Sequence, residues 1–94
     1  VVVIDCVTLW GTNFFFANES DTNRSLAELK EEFNKFTKQE AYLIFVTNEI
    51  GLGGVSPDAV QRRFTDLQGW INQYIASRAD EVILMVSGIP MKVK

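Results

Sequence analysis

The sequence contains no histidine and only one cysteine, Cys6. Without histidine, the chain has no Ser-His-Asp triad, no imidazole ligand for a metal and no phosphorylated or nucleotidylated histidine. A single cysteine forms neither an intrachain disulfide nor a thiolate cluster around a metal. These absences exclude several common catalytic and metal-binding chemistries from the 94 residues themselves.

Long apolar runs and a signal-peptide pattern are also lacking. Stretches such as Val82–Val86 are about five residues long, whereas a membrane-spanning helix needs ~20. With 47% hydrophobic residues and two prolines, the composition is that of one compact folded unit. A net charge of −3 argues against a nucleic-acid-binding surface, which needs a dense basic patch. These features are typical of a soluble cytoplasmic protein.

Three short apolar segments alternate with helical patterns: Val1–Ile4, Ala41–Val46 and Glu81–Val86. Each is β-branched or aromatic and apolar on both faces, which is typical of a buried parallel strand. Crossovers of this length favour right-handed connections. The sequence therefore predicts an α/β fold in which helices cover at least one face of a parallel sheet, with Ile89–Lys94 as a short edge strand.

The first crossover contains a segment of undecided structure and one clear helix. Cys6–Ala17 is apolar all round, so its periodicity leaves helix and strand open. A polar loop, 18–23, then precedes a helix that starts near Ser25, with Ser25 and Glu28 at capping-box spacing. The helix has an apolar stripe of Leu26, Leu29, Phe33 and Phe36, and an i,i+4 pair of Glu31 and Lys35 on its exposed side.

The second crossover begins with a glycine-rich loop, 51–54, and continues into a long helix. Ser56 as N-cap, Pro57 at the first helical position and Asp58 in the first turn predict the helix start. Gly69 lies opposite the apolar stripe, so it is either tolerated in solvent or covered by a closely packed element. The helix runs to about Arg78, on the stripe Val60, Phe64, Leu67, Ile71, Tyr74 and Ile75.

Polar residues follow each of the three predicted strands. The first strand ends at Asp5, the second at Thr47-Asn48-Glu49 and the third at Ser87-Gly88. Ligands of open parallel sheets bind outside the carboxyl ends of the strands. The three strand ends therefore predict one functional edge.

Asp5 is the leading candidate at this edge. Four aliphatic residues followed by Asp form the pattern of a Walker-B acid, which holds Mg²⁺ directly or through water beside a nucleotide. An equally simple interpretation is that Asp5 caps the following helix. Glu49 either orients a substrate or caps the glycine loop, and Asn48 either binds a ligand or serves turn chemistry. The residues alone leave these alternatives open.

Other polar and aromatic residues have simpler explanations. Backbone N–H groups of the loop 51–54 are able to cradle a phosphate, but a glycine-rich turn into a helix is commoner, and no Gly-Lys-Ser/Thr follows. Arg62 and Arg63 fit a solvated helix face. Trp10 and Trp70 fit packing or interface positions better than positions that stack on a ligand.

The sequence lacks a G-x-x-x-x-G-K-[ST] motif, the loop that would cradle the β- and γ-phosphates of a nucleotide. The chain also begins in mid-strand, without an initiator methionine. A Walker-B-like strand without a Walker-A strand indicates an incomplete domain. We therefore expect residues 1–94 to be the carboxyl-terminal part of a single P-loop domain.

Ordered motifs along nearly the whole chain point to a family. They are Ile4-Asp5-Cys6-Val7-Thr8-Leu9-Trp10 with Thr12-Asn13, then Val46-Thr47-Asn48-Glu49-Ile50-Gly51-Leu52-Gly53 with Val55 and Pro57, then Arg63-Phe64, Asp66-Leu67, Gly69, Asn72-Gln73, Ala79-Asp80-Glu81-Val82 and Val86-Ser87-Gly88-Ile89-Pro90. On these motifs the chain closely resembles the carboxyl-terminal half of the bifunctional adenosylcobinamide kinase/adenosylcobinamide-phosphate guanylyltransferase family of cobalamin biosynthesis.

The resemblance implies a partial P-loop (RecA-like) fold and two reactions that use ATP, GTP and Mg²⁺. The family phosphorylates the aminopropanol hydroxyl of adenosylcobinamide, with ATP or GTP as donor. It then transfers GMP from GTP through a guanylylated histidine, which releases pyrophosphate and forms adenosylcobinamide-GDP. The resemblance also implies a homotrimer and a contact between Asp5 and the guanine nucleotide. Roles for Asn48 and Glu49 rest on the strand-edge argument alone.

The chain departs from the family pattern in two ways. It has neither the Walker-A loop nor the histidine nucleophile, which lies upstream in the family. We therefore expect these residues to catalyse neither reaction alone and to be a fragment of an enzyme that catalyses both. The alternative is a non-catalytic α/β module that oligomerises through an exposed sheet edge.

Overall fold

A computed structural model describes the backbone of residues 1–94 and every side chain except that of Leu52. Leu52 belongs to the predicted glycine-rich loop, and its side chain lies outside the described part of the structure. The alternation of strands and helices confirms the α/β class. Among the described residues, no helix has both the length and the hydropathy needed to cross a membrane.

The elements are β1 (Val2–Asp5), α1 (Val7–Ala17), α2 (Thr22–Phe36), β2 (Leu43–Val46), a 3₁₀ turn (Ile50–Gly53), α3 (Ala59–Arg78), β3 (Ile83–Val86) and β4 (Ile89–Lys92).

Residues Cys6–Ala17, for which the sequence left helix and strand open, form the helix α1 from Val7 onward. The buried residues of α1 are Val7, Gly11 and Phe15, which are four apart and therefore lie on one face of the helix. A Cβ atom at Gly11 would lie 3.0 Å from Cδ1 of Ile71. Glycine at this position therefore allows α1 to approach α3 closely.

The helix α2 begins earlier than the sequence predicted. Its N-cap is Asp21, whose Oδ1 accepts a hydrogen bond from the backbone N–H of Arg24 at 3.0 Å. Ser25 is fully buried instead, and its hydroxyl donates to the carbonyl oxygens of Asp21 at 2.6 Å and Phe14 at 3.2 Å. The capping-box prediction was wrong because Asp21 caps as well as serine does, and the earlier start buries Ser25 against α1.

The three helices pack together, and α2 contacts β2 on the face of the sheet whose residues are partly buried. The predicted stripe of α2 is confirmed, since Leu29 and Phe33 are buried at its centre. The Phe33 ring lies 5.1 Å from that of Phe45 in β2 and 5.6 Å from that of Tyr74 in α3, between ring centroids. The buried hydrophobic residues are Val7, Phe15, Leu29, Phe33, Leu67, Ile71 and Ile75.

The helix α3 begins later than the sequence predicted. Asp58 is its N-cap and accepts a hydrogen bond from the backbone N–H of Val60 at 2.8 Å, so Ser56 and Pro57 precede the helix. Val60 is exposed, contrary to the predicted stripe, because the buried part of α3 begins further along. A Cβ atom at Gly69 would meet nothing within 4 Å, so this glycine is tolerated in open space.

Only two of the three predicted strands share a sheet. β1 and β2 pair in parallel, from Val2 opposite Leu43 to Asp5 opposite Val46. β3 pairs with β4 in a separate antiparallel sheet. The expectation that all three strands form one sheet was therefore wrong. A two-residue turn after β3 returns the chain beside it, so β3 pairs with β4 and not with β1 or β2. β4 itself confirms the short strand predicted after residue 88.

The β3–β4 hairpin exposes its apolar side chains. Ser87 and Gly88 form its turn with φ angles of 52° and 76°, as the two-residue turns of β-hairpins require. Every residue of both strands is exposed, including Met85 at 58% and Ile89 at 65%. The prediction that β3 is buried was therefore wrong, since the helices leave the hairpin uncovered. The same prediction for β1 and β2 was wrong for one face of each strand, where Val3, Ile44 and Val46 are exposed.

Candidate functional site

The carboxyl ends of β1 and β2 lie side by side. Asp5 is the last residue of β1 and pairs with Val46, the last residue of β2. The segment Thr47–Glu49 follows Val46 directly and therefore begins next to Asp5. The predicted functional edge is therefore formed from two of the three strand ends. Ser87-Gly88 takes no part in this edge, because it forms the hairpin turn between β3 and β4.

Asp5 is exposed at this edge. The chain passes from β1 into α1 through Cys6, which occupies the N-cap position of α1 and makes no side-chain cap hydrogen bond. The interpretation of Asp5 as a helix cap is therefore wrong. Among the described side chains, the ion pairs are Arg24–Glu28 and Lys35–Glu31, and neither involves Asp5. The carboxylate of Asp5 thus faces solvent at the strand end without a cationic partner among the described residues.

Asn48 connects the end of β2 to two helices. Its Nδ2 donates to the hydroxyl of Thr8 in α1 at 3.0 Å, and its carbonyl oxygen accepts from Nδ2 of Asn72 in α3 at 3.1 Å. Both bonds go to residues outside the local turn. Asn48 therefore holds the strand end against α1 and α3, a role that neither of the alternatives left open by the sequence described.

Two residues of α3 complete this network: Gln68, which the sequence analysis did not single out, and Asn72, which it named only as part of a family motif. Gln68 donates from Nε2 to the hydroxyl oxygen of Thr47 at 2.8 Å and to Oδ1 of Asn72 at 2.9 Å. The Thr47 hydroxyl donates to the same Oδ1 at 2.6 Å. The sequence feature that could have indicated a role for Gln68 is its position between Leu67 and Ile71, on the apolar stripe of the helix.

Glu49 and the glycine-rich loop lie just beyond the strand end. Glu49 is exposed and precedes the 3₁₀ turn without a side-chain cap bond, so it does not cap the loop. A Cβ atom at Gly51 would lie 3.2 Å from Oε1 of Glu49, so the carboxylate and the loop are neighbours. Gly54 ends the turn with a φ of 96°, a conformation that favours glycine. Turn geometry thus accounts for Gly54 without a bound phosphate.

Arg62 and Trp10 have structural roles, whereas Arg63 is simply exposed. Arg62 is exposed and donates from Nη1 to the carbonyl oxygen of Ser56 at 2.9 Å, which supports the loop before α3. Arg63 is exposed on the same helix. Trp10 is partly buried against the core and donates from Nε1 to Glu32 at 3.3 Å. The exposure of Arg62 and Arg63 agrees with a solvated face, and the contacts of Trp10 agree with a packing residue.

Comparison with known proteins identifies the family. A sequence model of the family described as cobinamide kinase / cobinamide phosphate guanyltransferase matches residues 1–93. The chain is similar to the bifunctional adenosylcobalamin biosynthesis protein CobP of Pseudomonas aeruginosa, with 36% identity over 93 residues, which cover 99% of the chain and 53% of that protein.

Two CobU proteins described by the same bifunctional name also match. The Escherichia coli protein is 34% identical over 105 residues, with 100% of the chain and 58% of that protein covered. The Salmonella typhimurium protein is 34% identical over 104 residues, with 99% and 58% covered. The chain thus spans little more than half the length of these relatives. The match over its whole length confirms the resemblance found in its motifs, and the chain belongs to the cobinamide kinase / cobinamide phosphate guanyltransferase family.

Proposed function

We propose that residues 1–94 are part of a longer protein that phosphorylates adenosylcobinamide and then transfers GMP from GTP to the new phosphate, giving adenosylcobinamide-GDP. Family membership supports both reactions. The observation that carries the proposal for this chain is the exposed Asp5 at the end of β1, beside the polar end of β2. Nucleotides bind at such strand ends in open α/β sheets. Family membership, together with this position at the strand ends, also supports a P-loop, RecA-like fold for the intact domain.

The possible metal ligands at this edge fit an Mg²⁺ ion that is coordinated mainly by a bound nucleotide. No group of three or more His, Cys, Asp or Glu side chains among the described residues is placed to hold a metal ion. Mg²⁺ usually takes one or two protein carboxylates and completes its shell with waters and phosphate oxygens. Asp5 would hold the ion directly or through water, and the ion would neutralise charge on the nucleotide phosphates. Asn48 and Glu49 would contact the nucleotide from the end of β2.

The rest of the protein would supply the groups that these residues lack. In the proposed second reaction, the guanylyl group passes from GTP to a histidine with release of pyrophosphate, and then from histidine to the phosphate on the corrinoid. The histidine and the glycine-rich phosphate loop would precede Val1. Reading the frame upstream of the Val1 codon tests this directly, because a Gly-Lys-Ser/Thr loop and a histidine are expected there.

An assay of the full-length protein tests both reactions. The protein is incubated with adenosylcobinamide, Mg²⁺ and either ATP or GTP, and the products are identified by mass spectrometry. We expect adenosylcobinamide phosphate in the first step and, with GTP, adenosylcobinamide-GDP together with pyrophosphate. Comparing the nucleotides identifies the phosphoryl donor, and sedimentation of the same sample tests for a homotrimer. A folded full-length protein that forms neither product would overturn the proposal.

A non-catalytic module that self-associates is the second candidate, and the exposed β3–β4 hairpin favours it. Its apolar side chains form a surface of the kind that soluble monomers rarely expose. In the part of the chain that the structure describes, no further strand pairs with its outer edges, which therefore present unpaired backbone groups. Under this hypothesis the 94-residue chain forms oligomers through the hairpin. Under the enzyme hypothesis the same surface is covered by the rest of the protein.

Replacing Met85 with lysine is expected to dissociate any oligomer formed by the 94-residue chain. Met85 is 58% exposed in β3, and a charge at that position would be buried without a partner in a hairpin-mediated interface. Sedimentation velocity at several concentrations measures the change. Gln61→Lys, which adds the same charge on an exposed part of α3, should leave the oligomer unchanged. A monomeric unmodified chain at high concentration would count against the module.

A further inference from the structure

Two amide side chains of α3 reach the end of β2. Gln68 and Asn72 are four residues apart and therefore lie on the same face of the helix. They bind the hydroxyl of Thr47 and the carbonyl oxygen of Asn48 through hydrogen bonds of 2.6–3.1 Å. Gln68 is fully buried, which is uncommon for a glutamine. Its position therefore needs a reason.

The chemistry of the acceptors fixes the direction of these hydrogen bonds. The carbonyl oxygen of Asn48 only accepts, so Nδ2 of Asn72 must face it and Oδ1 of Asn72 must face the opposite way. That oxygen accepts from the Thr47 hydroxyl and from Nε2 of Gln68. The amide of Gln68 therefore has its nitrogen toward the strand end, and the set of bonds is satisfied in one arrangement.

This arrangement leaves one polar atom of Gln68 without a partner. Its Oε1 is buried and accepts no hydrogen bond from the described residues. It points toward α1, since a Cβ atom at Gly11 would lie 3.5 Å from it. A buried, unpaired acceptor destabilises a fold. The Gln68 amide is oriented with its nitrogen toward the end of β2, and this same orientation leaves Oε1 unpaired. The hydrogen bonds to the strand end are therefore made at a cost in stability.

We propose that Gln68 and Asn72 are positioning residues that hold the Thr47–Glu49 segment in a fixed place beside Asp5. The hydrogen bond from Asn48 to Thr8 holds the same segment from the α1 side. A preorganised strand end presents its polar groups to a nucleotide without rearrangement during the reaction. The identity of the ligand rests on the proposed function, whereas the positioning itself is a property of these hydrogen bonds.

Replacing Gln68 with methionine in the full-length protein tests this role. Methionine keeps the shape of the side chain but removes both the donor to the strand end and the unpaired acceptor. We expect kcat for guanylyl transfer to fall by about tenfold to a hundredfold, because small misplacements of reacting groups cost that much. The KM for GTP should change little, and Tm should be unchanged or higher because the unpaired acceptor is gone.

Matched variants separate positioning from stability. Gln61→Met makes the same chemical change on an exposed part of α3 and should alter neither kcat nor Tm. Asn72→Asp keeps the side-chain shape but lacks the donor for the Asn48 carbonyl, so its kcat should fall as in Gln68→Met. Wild-type kcat in Gln68→Met, or a loss of activity matched by a loss of Tm, would overturn the positioning role.

A measurement without substrate distinguishes this inference from the proposed function. Methyl relaxation in selectively labelled full-length protein reports the order of the Thr47 and Ile50 side chains on the picosecond-to-nanosecond timescale. Both should become more mobile in Gln68→Met and stay unchanged in Gln61→Met. Unchanged methyl order in Gln68→Met overturns the inference. If the methyl groups respond but the unmodified protein forms neither cobinamide product, the proposed function fails and the positioning role stands.

Discussion

Replacing Asp5 with alanine in the full-length protein is expected to lower kcat/KM for GTP by about a hundredfold to a thousandfold, the effect typical of removing one preorganised charge-stabilising group. Asp5 is the carboxylate at the end of β1 and is exposed without a cationic partner among the described residues. Its loss would remove the protein ligand proposed for Mg²⁺ beside the nucleotide. Steady-state kinetics with GTP and cobinamide phosphate measure the change.

The same substitution should leave the fold intact. Exposed residues outside caps and ion pairs usually change stability by less than about 0.5 kcal/mol when replaced, and Asp5 does not cap α1. Asp5→Glu should be milder, since it keeps an acid at the strand end. Glu40→Ala removes the same charge from an exposed position after α2 and should have no kinetic effect. Near-normal kinetics in Asp5→Ala would exclude the nucleotide contact.

Replacing Phe33 with alanine should lower the free energy of unfolding by about 3–5 kcal/mol, the usual cost of truncating a buried phenylalanine. Phe33 is 3% exposed and joins three elements, since it belongs to α2 and its ring contacts Phe45 in β2 and Tyr74 in α3. Small domains are stable by only about 5–15 kcal/mol. The variant should therefore be largely destabilised, which urea unfolding followed by circular dichroism measures.

Phe16→Ala is the matched control for this experiment. Phe16 lies in α1 and is 64% exposed, so its truncation leaves no cavity in the core and should cost well under half as much. The two substitutions remove the same atoms, so their difference reports burial alone. An equal loss of stability in both variants would mean that Phe33 does not lie in the core described above.

The sequence predicted those features that depend on local pattern. The stripe through Leu29 and Phe33 follows the helical period and is buried as expected. The meeting of Asp5 with the Thr47–Glu49 segment follows from parallel pairing, because the carboxyl ends of parallel strands lie at one edge. Family membership followed from ordered motifs that cover nearly the whole chain. None of these three conclusions needed the positions of individual side chains.

Other features depend on choices that local pattern does not decide. Asp21 and Ser25 are both good N-caps, and the packing of α1 against α2 selects the first. An apolar run indicates a strand but not its partner, so the pairing of β3 with β4 was missed. The role proposed for Gln68 was missed because a glutamine in a helix is ordinarily solvated, and only its contacts with Thr47 and Asn72 indicate what it holds in place.

The β3–β4 hairpin is joined to the helices by few contacts. Beyond the hairpin itself, side-chain contacts of Lys94 with the carbonyl oxygens of Ala76 and Ser77, at 3.0 and 3.4 Å, join it to the end of α3. Its apolar side chains are exposed already, so separating it from the helix layer uncovers little additional apolar surface. Opening of the hairpin therefore requires far less free energy than disruption of the helix layer. In the 94-residue chain, we expect the hairpin to separate from the helices more often than the core around Phe33 unfolds.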